Sequence, residues 1–123
     1  DYITIATTGN AIDFGNLTVA RRSCASAASS TRGVFAGGST GSNSNVMDYI
    51  TIASTGNATD FGDLTVARQQ LSGVTSDTRG CFAGVSAVND TIDYITIATT
   101  GNATDFGNLT VVRTALSSSG VWN

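Results

Sequence analysis

The sequence of 123 residues contains no proline, histidine, lysine or glutamate, and only two cysteines. Each absence removes a kind of chemistry. Without histidine there is no Ser-His-Asp or Cys-His nucleophile system. There is no histidine-based zinc site either, and two cysteines are too few for a four-thiolate one. Every acid is aspartate and every base is arginine, nine against six, for a net charge of −3. That balance lacks the basic footprint of a nucleic-acid binder. Charged residues make up only 12% of the chain, and the helix formers Lys, Glu and Gln are nearly absent. No apolar run is long enough for a membrane-spanning helix.

What the sequence does have is repetition, the first feature to read in any chain. Residues 1–21, DYITIATTGNAIDFGNLTVAR, return at 48–68 and again at 93–113. The second and third copies are identical at 18 of 21 positions, and the periods are 47 and 45 residues. A second block, TRGVFAGG at 31–38, returns as TRGCFAGV at 78–85. The length difference lies after this block, in GSTGSNSNVM against VSAVNDTI, which marks an exposed loop. The chain therefore divides into 1–47, 48–92 and a partial 93–123, a single repeat domain. It opens and stops inside a unit, so the expectation is either part of a longer polypeptide or a chain that completes its fold by self-assembly.

The pattern predicts four short strands per unit. Tyr2-Ile3-Thr4-Ile5-Ala6 alternates with period two, the signature of a strand. Thr8-Gly9-Asn10 supplies a turn, since Gly and Asn tolerate positive φ. A short strand follows over 13–17, with Phe14 as its large aromatic. The small residues of 23–28 predict an inner strand where neighbouring sheets crowd, and Gly33-Val34-Phe35-Ala36-Gly37 a further one. Four strands in about 46 residues match a blade of a β-propeller, and a β-solenoid is the main rival.

The order Val34-Phe35-Ala36-Gly37-Gly38, a variable loop, Asp48-Tyr49, Phe61 and Arg68 resembles the Kelch repeat. It departs from that pattern in three places. The pair is Asp-Tyr rather than Tyr-Asp, the aromatic is Phe rather than Trp, and Gly84-Val85 breaks one Gly-Gly. The wording of the 21-residue block also resembles tandem repeats in predicted tail-fibre and other structural proteins of marine bacteriophages. These resemblances imply an all-β, Kelch-like β-propeller with four-stranded blades on a virion surface, or otherwise an extracellular one. Fewer than three blades fit in the chain, too few for a ring. Closure would need further repeats of the same chain or a homo-oligomer whose offset ends complete one another's blades. The copper-radical chemistry of some Kelch propellers needs histidine and is not implied.

The recurring residues read first as scaffold. Tyr2, Tyr49 and Tyr94, Asp13, Asp60 and Asp105, Phe14, Phe61 and Phe106, and Arg21, Arg68 and Arg113 occupy equivalent positions. A catalytic carboxylate need appear only once, so the repeated Asp is expected to accept backbone N–H groups in its turn. A calcium reading of Asn57, Asp60 and Asp63 matches no known loop spacing. The arginines are expected to bond loop carbonyls or a repeat Asp. Cys24 and Cys81 sit at non-equivalent apolar positions, and read as buried free thiols before a disulfide. Candidate ligand contacts are the variable loops: Ser39, Thr40, Ser42, Asn43, Ser44 and Asn45, with Ser86, Asn89 and Asp90. Their uncharged hydrogen-bonding groups suit glycans. No enzyme activity and no cofactor are expected. The expected partners are other virion proteins or further repeats, and a host-surface glycan. A cellular Kelch-like protein–protein module is the alternative.

Overall fold

The computed structural model describes residues 1–84 and 89–113, and all regular structure among them is β. The strands are β1 (Ala25–Ala28), β2 (Arg32–Ala36), β3 (Val46–Thr51), β4 (Thr59–Asp63), β5 (Ser72–Thr75), β6 (Arg79–Ala83), β7 (Thr91–Thr96) and β8 (Thr104–Asn108). They form two four-stranded antiparallel sheets, β1-β2-β3-β4 and β5-β6-β7-β8, each in sequence order. Each sheet is thus a meander of short strands joined by turns. Each also straddles the sequence repeat, taking its two inner strands from the end of one unit and its two outer strands from the start of the next.

The strands expected over 25–28 and 33–37 are β1 and β2. The alternation expected of the DYITIA segment appears in β7 and the residue beyond it, where Ile95 and Ile97 are buried and Thr96 is exposed. The first copy departs from expectation. Residues 1–17 form no strand, only an isolated bridge between Tyr2 and Ile12, with paired N–H···O bonds of 2.9 Å. The physical reason is pairing. Tyr49 and Tyr94 lie opposite Val34 and Cys81 of a preceding strand, and Tyr2 has no such neighbour among the described residues. A ladder with one side missing is marginal in water.

Both sheets break register at the same place. Met47 pairs with Gly62 and Asp48 with Asp60, so the ladder skips Phe61. Ile92 pairs with Gly107 and Asp93 with Asp105, so it skips Phe106. A bulge of this kind re-aims side chains and frees a backbone group from the ladder. The freed Phe61 carbonyl accepts from Gly101 N–H at 2.7 Å, a bond to the second sheet.

The two sheets pack with β1 against β5 and β6. The small residues predicted for the inner strands are what permits this. A Cβ on Gly73 would lie 2.1 Å from the Ser26 carbonyl oxygen, and one on Gly80 would lie 2.7 Å from Ala27 Cβ. Around this contact Ala25, Ala27, Val34, Ala36, Met47, Phe61, Leu64, Leu71, Phe82, Ile95 and Ile97 form one buried cluster. The fold class is therefore all-β, and two described sheets do not close a ring.

Candidate functional site

The most organised polar chemistry lies where successive units meet. Arg21 reaches from the first copy into the first sheet. Its Nη1 donates to Asp48 Oδ2 at 2.7 Å, its Nε to the Gly37 carbonyl at 2.7 Å, and its Nη2 to the Phe35 carbonyl at 3.2 Å. Thr18 Oγ1 donates to the other Asp48 oxygen. One unit later the arrangement repeats. Arg68 Nη2 donates to Asp93 Oδ2 at 2.6 Å and to the Phe82 carbonyl at 3.3 Å, and Nη1 donates to the Thr91 carbonyl. Thr65 donates to Asp93 through Oγ1 at 2.5 Å and through its backbone N–H at 3.3 Å. The side chains of both ion pairs are excluded from solvent. Burial pulls the Arg68 guanidinium below its ordinary pKa, and the carboxylates of Asp93 and then Asp105 push back. A guanidinium holds its proton in such settings, so Arg68 stays charged.

The two clamps share their Thr, Arg and Asp but differ in detail: only Thr65 adds a backbone N–H, and only Arg68 bonds a carbonyl of its aspartate's own strand, that of Thr91. Arg68 Nε is buried without a partner among the described residues, where Arg21 Nε bonds the Gly37 carbonyl. The sequence differs nearby, with Gly84-Val85 replacing Gly37-Gly38.

A second set of bonds joins the turns of the second and third units to the Phe-Gly segment of the unit before. Gly56 and Ala58 N–H donate to the Phe14 and Asn16 carbonyls at 2.7 and 2.8 Å. Gly101 and Ala103 N–H donate to the Phe61 and Asp63 carbonyls at 2.7 and 2.8 Å. Asn57 Oδ1 and Asn102 Oδ1 accept from the Asn16 and Asp63 N–H groups, each at 3.0 Å. The approach is backbone on backbone: a Cβ on Gly62 would lie 2.5 Å from the Gly101 carbonyl group. Arg32 adds a third tie, donating to the Ile97 and Ala98 carbonyls at 3.1 and 3.0 Å while its guanidinium covers the Tyr49 ring at 4.5 Å. Arg79 covers Tyr94 in the same way.

The sequence-predicted scaffold residues fall into this frame unevenly. Each Tyr meets its Phe edge-to-face at about 6 Å: Tyr2 with Phe14, Tyr49 with Phe61, Tyr94 with Phe106. Arg21 and Arg68 do bond loop and strand carbonyls and a repeat Asp. Arg113 is exposed and has no carboxylate partner among the described residues. Asp13, Asp60 and Asp105 are exposed, and Asp105 accepts the Gly107 N–H at 2.9 Å. The carboxylates that matter most, Asp48 and Asp93, were not singled out from the sequence. Their signal was present, because every unit opens with Asp-Tyr.

The variable loop is more internal than its composition suggested. Ser39 is buried, and its backbone pairs with Arg22 at 2.8 and 3.0 Å. Its hydroxyl accepts the Gly41 N–H at 3.1 Å. The Ser44 hydroxyl accepts the Val46 N–H, and its carbonyl accepts the Arg68 N–H. The Asn45 carbonyl accepts the Leu64 N–H. Thr40, Ser42 and Asn43 are the exposed members. In the second loop Asn89 Oδ1 accepts the Thr91 N–H, and the Asp90 carbonyl accepts the Leu109 N–H, while Ser86 lies outside the described residues. Cys24 and Cys81 are free and half-buried rather than fully buried, and burial raises the Cys81 thiol above its usual pKa.

Two kinds of cavity accompany these features. A groove of about 370 Å³ lies between the first copy and the first sheet, lined by Tyr2, Phe14, Leu17, Phe35, Ile50 and Ile52. Each copy also carries an uncharged recess at its hairpin turn, of about 220, 240 and 320 Å³ in chain order. Threonine hydroxyls and one asparagine line each recess, as with Thr51, Thr55, Asn57 and Thr59 in the second. Among the described residues no three His, Cys, Asp or Glu side chains gather as a metal site.

Fold and junctions together define an all-β repeat protein whose units are locked by buried Arg-Asp pairs. No protein-family model matches the chain, and no curated protein matches it.

Proposed function

We propose that this chain is a non-enzymatic, Kelch-like β-propeller module of a tail-fibre-like virion surface protein, presenting its exposed loops and turns to a host-surface glycan. The observation that carries the reading is the repeated junction. Equivalent Thr-Arg-Asp clamps tie each unit to the next, and a fixed relation between units is the property a display scaffold needs. The recesses at the turns offer neutral hydroxyls and amides, which hydrogen-bond sugars without charge. The phage-like wording of the repeat supports the virion setting, and further repeats or other virion proteins would complete the ring. The test is a glycan array with the chain and a variant whose 39–45 loop is replaced by Gly-Ser linker. Binding that the replacement abolishes supports recognition through this loop, and equal binding by both removes the loop from it.

A second reading, a purely structural module that positions other domains, is favoured by one observation. Ser39, Ser44 and Asn45 spend backbone or hydroxyl groups on the loop's own bonds and on the junction, which leaves fewer for a ligand. Silence across the array with the fold intact supports it. Antibody labelling of virions separates both from a cellular Kelch-like protein–protein module.

A further inference from the structure

The second sheet ends on a surface that the first sheet does not expose. Phe61 of β4 is 2% exposed, and its equivalent Phe106 of β8 is 58% exposed. Gly62 is pressed against Gly101, while a Cβ on Gly107 would meet nothing within 4 Å among the described residues. The backbone of β8 is nevertheless already shaped for the contact, because Gly107 has φ 139° where Gly62 and Gly15 have 135° and 141°. Beside it Thr110 and Arg113 stand where Thr18 and Arg21, or Thr65 and Arg68, hold an aspartate of the next unit.

The opposite end of the molecule carries the matching half. Asp1 is the equivalent of Asp48 and Asp93, and it is exposed. Ile3, Ile5 and Ile12 are exposed as well, a run of apolar groups on one hairpin. The turn at Gly9 differs from its equivalents. Gly56 and Gly101, which bond the Phe14 and Phe61 carbonyls, have φ 155° and 153°, and Gly9 is not among the glycines with positive φ.

We propose that the β8 face, with Thr110 and Arg113, is a docking surface for residues 1–12 of a second copy of this chain, so that copies associate head to tail. The proposal rests on reading the sheets as successive repeat units. It follows from the sequence identity of the surfaces: the same residues already meet in this way twice within one chain. By that correspondence the second copy's Gly9 and Ala11 N–H groups bond the Phe106 and Asn108 carbonyls. Its Asn10 accepts the Asn108 N–H, and its Asp1 pairs with Arg113. An interface of this kind is heterologous, so it builds rings or open chains rather than two-fold dimers.

The test is sedimentation of the whole chain over a range of concentrations, with two charge reversals, Arg113→Asp and Asp1→Arg. Both residues are exposed, so neither change disturbs the folded unit. Mass should rise with concentration, and each variant alone should associate about tenfold more weakly or worse, because like charges then face each other. An equimolar mixture of the two variants should associate again, since each tail then meets a head of opposite sign. A chain that stays monomeric, single variants that associate as well as the parent, or a mixture that does not recover would each overturn the proposal. A monomer that keeps a β-sheet circular dichroism spectrum overturns the docking alone. Loss of that spectrum in the parent chain overturns the repeat-unit reading with it.

Discussion

Arg68, in the connection between β4 and β5, and Asp93 of β7 meet in a solvent-excluded ion pair with Nη2 and Oδ2 2.6 Å apart. Burying two charges is costly, and the mutual attraction offsets that cost only because most of the remaining groups, Arg68 Nε excepted, are also bonded. Here Thr65 supplies two donors to Asp93, and the Phe82 and Thr91 carbonyls accept from Arg68. Removing one partner strands the other. Arg68→Ala or Asp93→Asn should therefore destabilise the chain by about 3–5 kcal/mol in denaturant unfolding. Arg113→Ala, at the exposed equivalent position, should change stability by about 0.5 kcal/mol or less. Equal effects at the two arginines would refute the clamp.

Phe61 and Phe106 offer the same comparison for apolar burial. Phe61→Ala removes a buried ring and should cost about 3–5 kcal/mol. Phe106→Ala touches a ring that is largely in water in the isolated chain, so its cost should be under about 1 kcal/mol. Thermal unfolding at a concentration where the chain is monomeric separates the two.

Gly62 and Gly107 share a backbone conformation and differ in what lies opposite. Alanine at either pays the same strain for φ near 135–139°. Only Gly62→Ala must also push back the Gly101 backbone, which would sit 2.5 Å from the new Cβ. The excess cost at Gly62 should be about 1–3 kcal/mol, the usual range for overpacking. A difference near zero between the two variants would show that the turn yields freely.

The Cys81 thiol is raised above its ordinary pKa by burial, with Arg79 pulling weakly the other way. A raised pKa means less thiolate at a given pH. In a Cys24→Ala background, Cys81 should react with iodoacetamide more slowly than a free model thiol across pH 7–9. Its pH profile should be shifted upward, and unfolding should restore the model rate.

Much of the fold was legible in the sequence. Period-two alternation placed β3 and β7, turn residues separated them from β4 and β8, and small residues marked β1 as the strand that crowds its neighbour. The clamp was half legible. The repeated arginines pointed to carbonyl and carboxylate partners, but the choice of Asp93 over Asp105 depends on tertiary placement: Asp93 is buried on β7, between two strands, and its cross-strand partner Asp105 is exposed on β8, the last strand of the sheet. The loop at 39–45 was read from its polar composition. Composition does not reveal that Ser39 and Ser44 direct their hydroxyls at their own backbone.

By itself, the sequence determined the unit: its length, its four strand positions, and the aromatic, turn and arginine positions that recur. What only the tertiary structure decided is the fate of each copy. Ile5, Ile52 and Ile97 are equivalent residues in nearly identical segments, yet they are 95%, 46% and 1% exposed. The same segment is a single bridge in the first copy and a paired strand in the second and third. Strand pairing and apolar burial both need a neighbour, and a repeat cannot encode in its own residues whether a neighbour stands beside it.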